Sequence, residues 1–169
     1  DGALAGQPLD LLLNTHLHSD HCGGNAALQQ RYPGARTFIP PGQAAHVQQW
    51  DADALSYTPT GQQCPPFRFD SLLQPGSEIV LGSTPWQIHA APGHDTHSVV
   101  LFEPTQRILV SADALWQNGF GVVFPELEGI HAFDEVGATL ELIAALQPRT
   151  VIPGRRGVHR RGRRPRPRP

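Results

Sequence analysis

Three histidines and an aspartate fall within six positions in the run Thr15-His16-Leu17-His18-Ser19-Asp20-His21. Neutral imidazole suits zinc and other borderline cations, and a carboxylate extends the choice toward manganese and iron. Side chains alternate along an extended segment, so His16 and His18 point to the same face. Asp20 and His21 come where the chain turns toward a helix and can address a second point in space. The apolar run Leu9-Asp10-Leu11-Leu12-Leu13-Asn14 leads directly into this cluster, as a buried strand delivering a loop to a site would. The expectation is a metal site.

Two later segments have the same form, a strand pattern ending in a polar residue. Ala91-Pro92-Gly93-His94 follows the alternation of Trp86, Ile88 and Ala90 with Gln87 and His89. Ser111-Ala112-Asp113 follows a second apolar run, Arg107 to Val110, which pairs by sequence with Val99 to Phe102 across Glu103-Pro104-Thr105-Gln106.

The set His16-x-His18-x-Asp20-His21, then Gly23-Gly24, then Pro92-Gly93-His94, then Asp113 resembles the metal-binding signature of the metallo-β-lactamase superfamily. The likeness is to its glyoxalase II-like metallohydrolase branch and runs from about Leu9 to Gly154. It implies a layered αββα sandwich with mixed sheets, of which this chain would hold an incomplete version. It implies that His16, His18 and His94 hold one metal, and that Asp20, His21 and a bridging Asp113 hold a second. Zinc is the implied ion, two per chain in the family and one where the second site falls short; iron and manganese accept the same donors. The implied chemistry is hydrolysis by a metal-activated water on a small ester, thioester, lactone or related substrate. Asp20, both ligand and carboxylate, would orient the nucleophile or relay its proton.

The family's last motif reads like Pro-Gly-His after a final strand, and here Ile152-Pro153-Gly154 is followed by Arg155. A guanidinium has no lone pair to donate, so Arg155 is no ligand. His159 is the nearest substitute. Residues 155–169 are almost wholly Arg, Gly and Pro, with Val158 the one apolar side chain. A frameshift in GC-rich coding DNA would give that composition, so residues 1–154 are expected to be the domain and 155–169 a non-native or disordered tail. Few residues precede the first strand, where the family carries a β-rich segment. The alternative to an active enzyme is therefore a metal-binding remnant lacking its last ligand.

Composition narrows the partners. All 13 basic residues are arginine, and eight of them lie in residues 155–169. The first 154 residues carry five Arg against 15 acids, about -10 with His neutral. An acidic body repels a polyanion, so a small-molecule substrate is expected and nucleic acid is not. No apolar run is long enough to span a bilayer and no signal peptide opens the chain, so a cytoplasmic location and no membrane partner are expected.

Weaker candidates surround the core set. His97 could touch substrate or orient a ligand, and Asp95 reads more readily as a solvated loop acid than as support for a bound histidine. His89 reads as structural, and His46 and His131 as surface or loop residues. The stretch Trp116 to Phe124 could border a pocket. Cys22 and Cys64 read as two ordinary thiols, too few for a disulfide framework.

The elements that must position these residues follow from pattern. Short helices are expected over Ala26 to Tyr32 and Gln43 to Trp50, and loop over 51–76. Strands are expected at Thr37 to Ile39, Glu78 to Leu81 and Thr150 to Ile152. Phe133, Val136, Leu140 and Ile143 recur at helical spacing. Without a regular βαβ rhythm, this order predicts an α/β layered domain with a mixed sheet.

Overall fold

The computed structural model describes residues 4, 6–154 and 159–160. Two sheets form. The first is parallel, in the order β1 (Leu11–Leu13), β2 (Arg36–Ile39), β3 (Ser71–Leu72). The second is mixed. It runs β4 (Glu78–Leu81), β5 (Thr84–Ala90), β6 (Val99–Glu103), β7 (Ile108–Ala112), β8 (Thr150–Pro153) and β9 (His159–Arg160). Its first four strands are antiparallel, β8 joins β7 in parallel, and β9 returns antiparallel.

The layering follows from side-chain alternation. All five residues of β6 are buried, because the strand has a covered surface on each side. Val99 and Leu101 pack with Ile88 against Phe38 of the first sheet and Leu73, which follows β3. Val100 and Phe102 point the other way, with Leu109, onto Ile143 of α6 (Phe133–Leu146). Beyond the first sheet, Ile39, Leu17 and Cys22 pack with Val47, Leu55, Tyr57 and Phe67. That outer layer contains α1 (Ser19–Cys22), α2 (Asn25–Arg31), α3 (Ala44–Gln49) and α4 (Tyr57–Thr60), while the short α5 (Phe124–Leu127) comes between β7 and α6. Helices, sheet, sheet and helix therefore stack as αββα. Among the described residues no helix is long and apolar enough to cross a membrane.

Elements shift by a residue or two from the pattern-based bounds, apart from the 51–76 segment. That segment holds α4 and the two-residue β3. Ser56 and Gly61 bracket α4 with positive φ angles of 65° and 67°. Such a four-residue turn is held by its ends and leaves no periodic signal.

The β6–β7 hairpin is closed by its own acid. The buried Glu103 carboxylate accepts the backbone N–H groups of Thr105 (2.8 Å) and Gln106 (2.6 Å). Burial pushes its pKa up, but these bonds outweigh burial and hold it below the usual range. Helix α6 in turn braces the Pro92-Gly93-His94 loop. Thr139 donates to the Pro92 carbonyl (2.7 Å). Gly93 has φ +138° and lies so close to Val136 that a Cβ there would be 2.7 Å from a valine methyl. Glycine is required at this point both by the backbone and by the contact.

Residues 155–158 and 161–169, which carry Arg155 and most of the Arg-rich tail, lie outside the described residues. His159 is described only as backbone paired with Val151.

Candidate metal centre

Four imidazoles from two distant segments meet at the ends of β1, β5 and β7. Ring centroids lie 4.7 Å apart for His16–His18, 4.1 Å for His16–His21 and 4.7 Å for His18–His94. The loop that carries three of them is pinned from several sides. The backbone N–H of Val99 donates to the Thr15 carbonyl (2.9 Å), tying the loop to β6. Buried Asn25 donates to Asn14 Oδ1 (2.7 Å), and Asn14 Nδ2 reaches the His21 carbonyl (3.4 Å). Gln62 Oε1 accepts the Ser19 N–H at the start of α1 (3.2 Å).

Asp113 arrives by a different device. The β7–β8 register shifts between Val110 and Ala112, and Ala112 takes a positive φ of 46°. This irregularity turns the following residue out of the strand and into the centre. Trp116 Nε1 then donates to Asp113 Oδ1 (2.9 Å), which leaves Oδ2 facing His21 Nε2 (3.3 Å) and His94 Nε2 (3.4 Å). Glycines make room on both sides. A Cβ at Gly121 would collide with the His94 ring, and one at Gly154 would collide with Asp113 Oδ1.

The donor atoms fall into two groups, each within 4.8 Å of one another: His16, His18 and His94, and His16, His21 and Asp113. His16 belongs to both. Its side chain is buried, its Nδ1 meets Thr15 Oγ1 (3.2 Å), and its Nε2 has no hydrogen-bond partner among the described residues. A buried lone pair without a donor is costly unless a cation takes it. The Val122 carbonyl can only accept, so the 2.6 Å contact puts the proton of His94 on Nδ1 and leaves Nε2 free to ligate. His18 Nδ1 lies 3.0 Å from that nitrogen. The residues present therefore fit a metal by the chemistry of their donors.

Asp20 sits at the edge of this arrangement. Its side chain is half exposed, with a carboxylate oxygen 3.7 Å from His21 Nε2, and neither converging group includes it. It lines an open cleft of about 280 Å³ together with His18, Ser19, Gln62, His94, Asp113 and Phe124.

Burial keeps His16 and His18 neutral. Burial, reinforced by His21, His18 and His94, lowers the pKa of His16 to about 2. Burial also lowers that of His18, against the pull of Asp95. For Asp113 burial acts upward, but hydrogen bonds from His21 and Trp116 outweigh it and hold the carboxyl well below the usual range. Burial pushes the Cys22 thiol up to about 12, so it is no ready thiolate ligand despite following His21.

A pH dependence follows. In the chain stripped of metal, an unfolded His16 takes a proton near pH 6.5 while the folded one resists it. Stability is then full above about pH 6.5 and falls as the pH drops below it. One such proton gives a slope of about 1.4 kcal/mol per pH unit. Urea midpoints of the chelator-treated chain between pH 7.5 and 5 measure this, and a flat profile would contradict a neutral buried His16.

Several supporting groups escaped sequence reasoning. Trp116, the Val122 carbonyl, Thr15 and Gln62 all support the centre, and only Trp116 and Val122, in the stretch expected to border a pocket, left even a weak signal. Asp95 is a correction to the solvated reading. Its side chain is mostly buried and its Oδ2 lies 3.7 Å from His18 Nε2, because its loop folds back over the centre. His97 lies away from the cleft lining, its ring packed over Gly42. His89 stays within β5 and meets Gln87 Oε1 (3.3 Å). His131 is fully exposed.

Trp116→Phe should weaken metal binding by about 10–100-fold, the usual effect of losing a hydrogen bond behind a ligand. Competition with a colorimetric chelator reads this; unchanged affinity would show that Asp113 needs no such support.

The sequence model of the metallo-β-lactamase superfamily matches residues 3–155. The chain belongs to the metallo-β-lactamase superfamily. It is 35% identical over 149 residues to hydroxyacylglutathione hydrolase from Acidiphilium cryptum, covering 88% of this chain and 50% of the relative. The enzyme of that name from Francisella tularensis subsp. novicida is 30% identical over 142 residues, covering 83% and 48%. The chain thus spans about half the length of the curated relatives it matches. Solved structures share the fold at lower identity. A β-lactamase domain protein from Burkholderia ambifaria superposes with a TM-score of 0.72 at 22% identity, covering 92% of this chain and 52% of that one. TTHA1623, solved in a di-iron-bound form, gives 0.69 at 23% identity, covering 94% and 77%.

Proposed function

We propose that this chain is a metal-dependent hydrolase of a small ester, thioester or lactone. In this reading His16, His18 and His94 hold a first zinc ion, and Asp20, His21 and Asp113 hold a second. The observation that carries the reading is the buried Nε2 of His16, unpartnered among the described residues, on the one residue common to both converging groups. A bound metal supplies an acidified water, with a pKa near 7, and a Lewis acid for the scissile carbonyl.

The chain's own residues do the rest. Asp113 presents Oδ2 between the two histidine groups while Trp116 occupies Oδ1. Asp20 is open to the cleft and takes up or relays the proton released as the nucleophile forms. Phe124 packs edge-on to His18 and His94, with ring centroids 4.8 and 5.5 Å away, and shields them from bulk water. The relatives named hydroxyacylglutathione hydrolase favour an acyl-thiol ester among the candidate substrates. The acidic body favours a small molecule over a nucleic acid.

The test is turnover of hydroxyacyl-thioester, ester and lactone panels by the metal-loaded chain. Activity lost on chelation and restored by zinc is expected; restoration only by iron would reassign the ion. The second reading, a metal-binding remnant, is favoured by Arg155 standing where the family motif has histidine. Tight metal binding without turnover on any panel would select it.

A further inference from the structure

The two cysteines, 42 positions apart in sequence, meet directly behind the metal loop. Cys22 Sγ lies 3.7 Å from Cys64 Sγ. Cys22 ends α1, next to His21, and is fully buried; Cys64 is half-buried, in the segment that passes from α4 to Phe67. The Cys22 sulfur also contacts the carbonyls of Leu17 and His18 (both 3.3 Å) and the Tyr57 hydroxyl (3.2 Å). Tyr57 donates its own proton to the Leu17 carbonyl (2.7 Å). Both cysteines belong to the same cluster as Leu17, Tyr57 and Phe67, so the surrounding packing holds the pair in place. Two residues before Cys64, Gln62 caps Ser19 and lines the cleft. The hydrolytic reading uses neither sulfur.

We propose that Cys22 and Cys64 are a redox modification site, a dithiol that a low-molecular-weight disulfide converts to an intramolecular bond stapling the Gln62–Cys64 strap to α1. Accessibility sets the order of steps. The Cys64 thiolate attacks the small disulfide, forming a mixed disulfide and releasing one thiolate. Cys22 Sγ then attacks Cys64 Sγ and expels the second thiolate, which takes up the Cys22 proton. The protein loses two electrons and two protons, and the small disulfide becomes two thiols. Closing the gap to a bond of about 2 Å moves each sulfur by about 1 Å or less, within side-chain rotation. The bond would fix the strap that forms one wall of the cleft to the helix bearing Asp20 and His21.

The test treats the full, folded, reduced chain with oxidised glutathione, followed by intact mass and non-reducing peptide mapping. Loss of two hydrogens and a Cys22–Cys64 linked peptide, both reversed by dithiothreitol, are expected. Cys22→Ser should instead hold one stable glutathionyl group at Cys64, and Cys64→Ser should leave Cys22 unmodified. Two free thiols after treatment, a persistent glutathionyl adduct on the unsubstituted chain, or dimers linked through Cys64 would each overturn the proposal. If a variant fails to fold, the peptide map of the unsubstituted chain decides alone. The readout is covalent, so it stands or falls separately from hydrolytic activity.

Discussion

Replacing His16 by alanine is expected to empty the first metal site. His16 contributes to each triad of converging donors, whereas His18 and His94 serve only one and His21 and Asp113 only the other. Loss of a group behind a ligand already costs about 10–100-fold in metal affinity, so loss of this ligand itself should exceed about 100-fold at the first site. Turnover should fall with it to the level of the chelated chain. The comparison with His21→Ala makes the result specific, since that change should spare the first group and lower occupancy only in the second. The two variants are separated by equilibrium dialysis against zinc followed by metal analysis. Equal, partial losses in both would show that His16 and His21 do not serve separate sites.

Arg155→His should act in the opposite direction. Gly154 abuts Asp113 and His21, and the superfamily motif places a histidine directly after this glycine. Arginine offers no lone pair, so on the hydrolase reading the second group would be one protein ligand short. Supplying imidazole at this position should bring occupancy toward two ions per chain and tighten the second ion by about tenfold or more. On the hydrolase reading turnover should rise with it. Unchanged stoichiometry and affinity would show that the second group does not depend on residue 155.

Much of this arrangement was legible because it is local. Alternation through Trp86 to Ala90 identified β5, and Ile88 is buried between the sheets, although Ala90 on the same face is exposed. Helical spacing found α6, and Val136 and Ile143 do face the core. Phe133, counted in the same apolar stripe, is largely exposed, because the first turn of α6 lies outside the contact with β6 and β7. The histidines were legible because a metal loop concentrates its donors within a few residues. Trp116 and Val122 were not, since their contacts arise only when the chain after β7 folds back over Asp113 and His94. The cysteines were read as ordinary thiols for the same reason. Their proximity depends on how the 51–76 segment packs against α1, and no periodicity reports that.

The most direct test of the central claim is the number of metal ions per folded chain, purified without a metal-binding tag and measured by mass spectrometry after dialysis against zinc. The account predicts at least one tightly held ion, retained through gel filtration and lost in the His16→Ala variant. A folded chain that retains no metal after zinc is supplied, or retains it unchanged without His16, would contradict it.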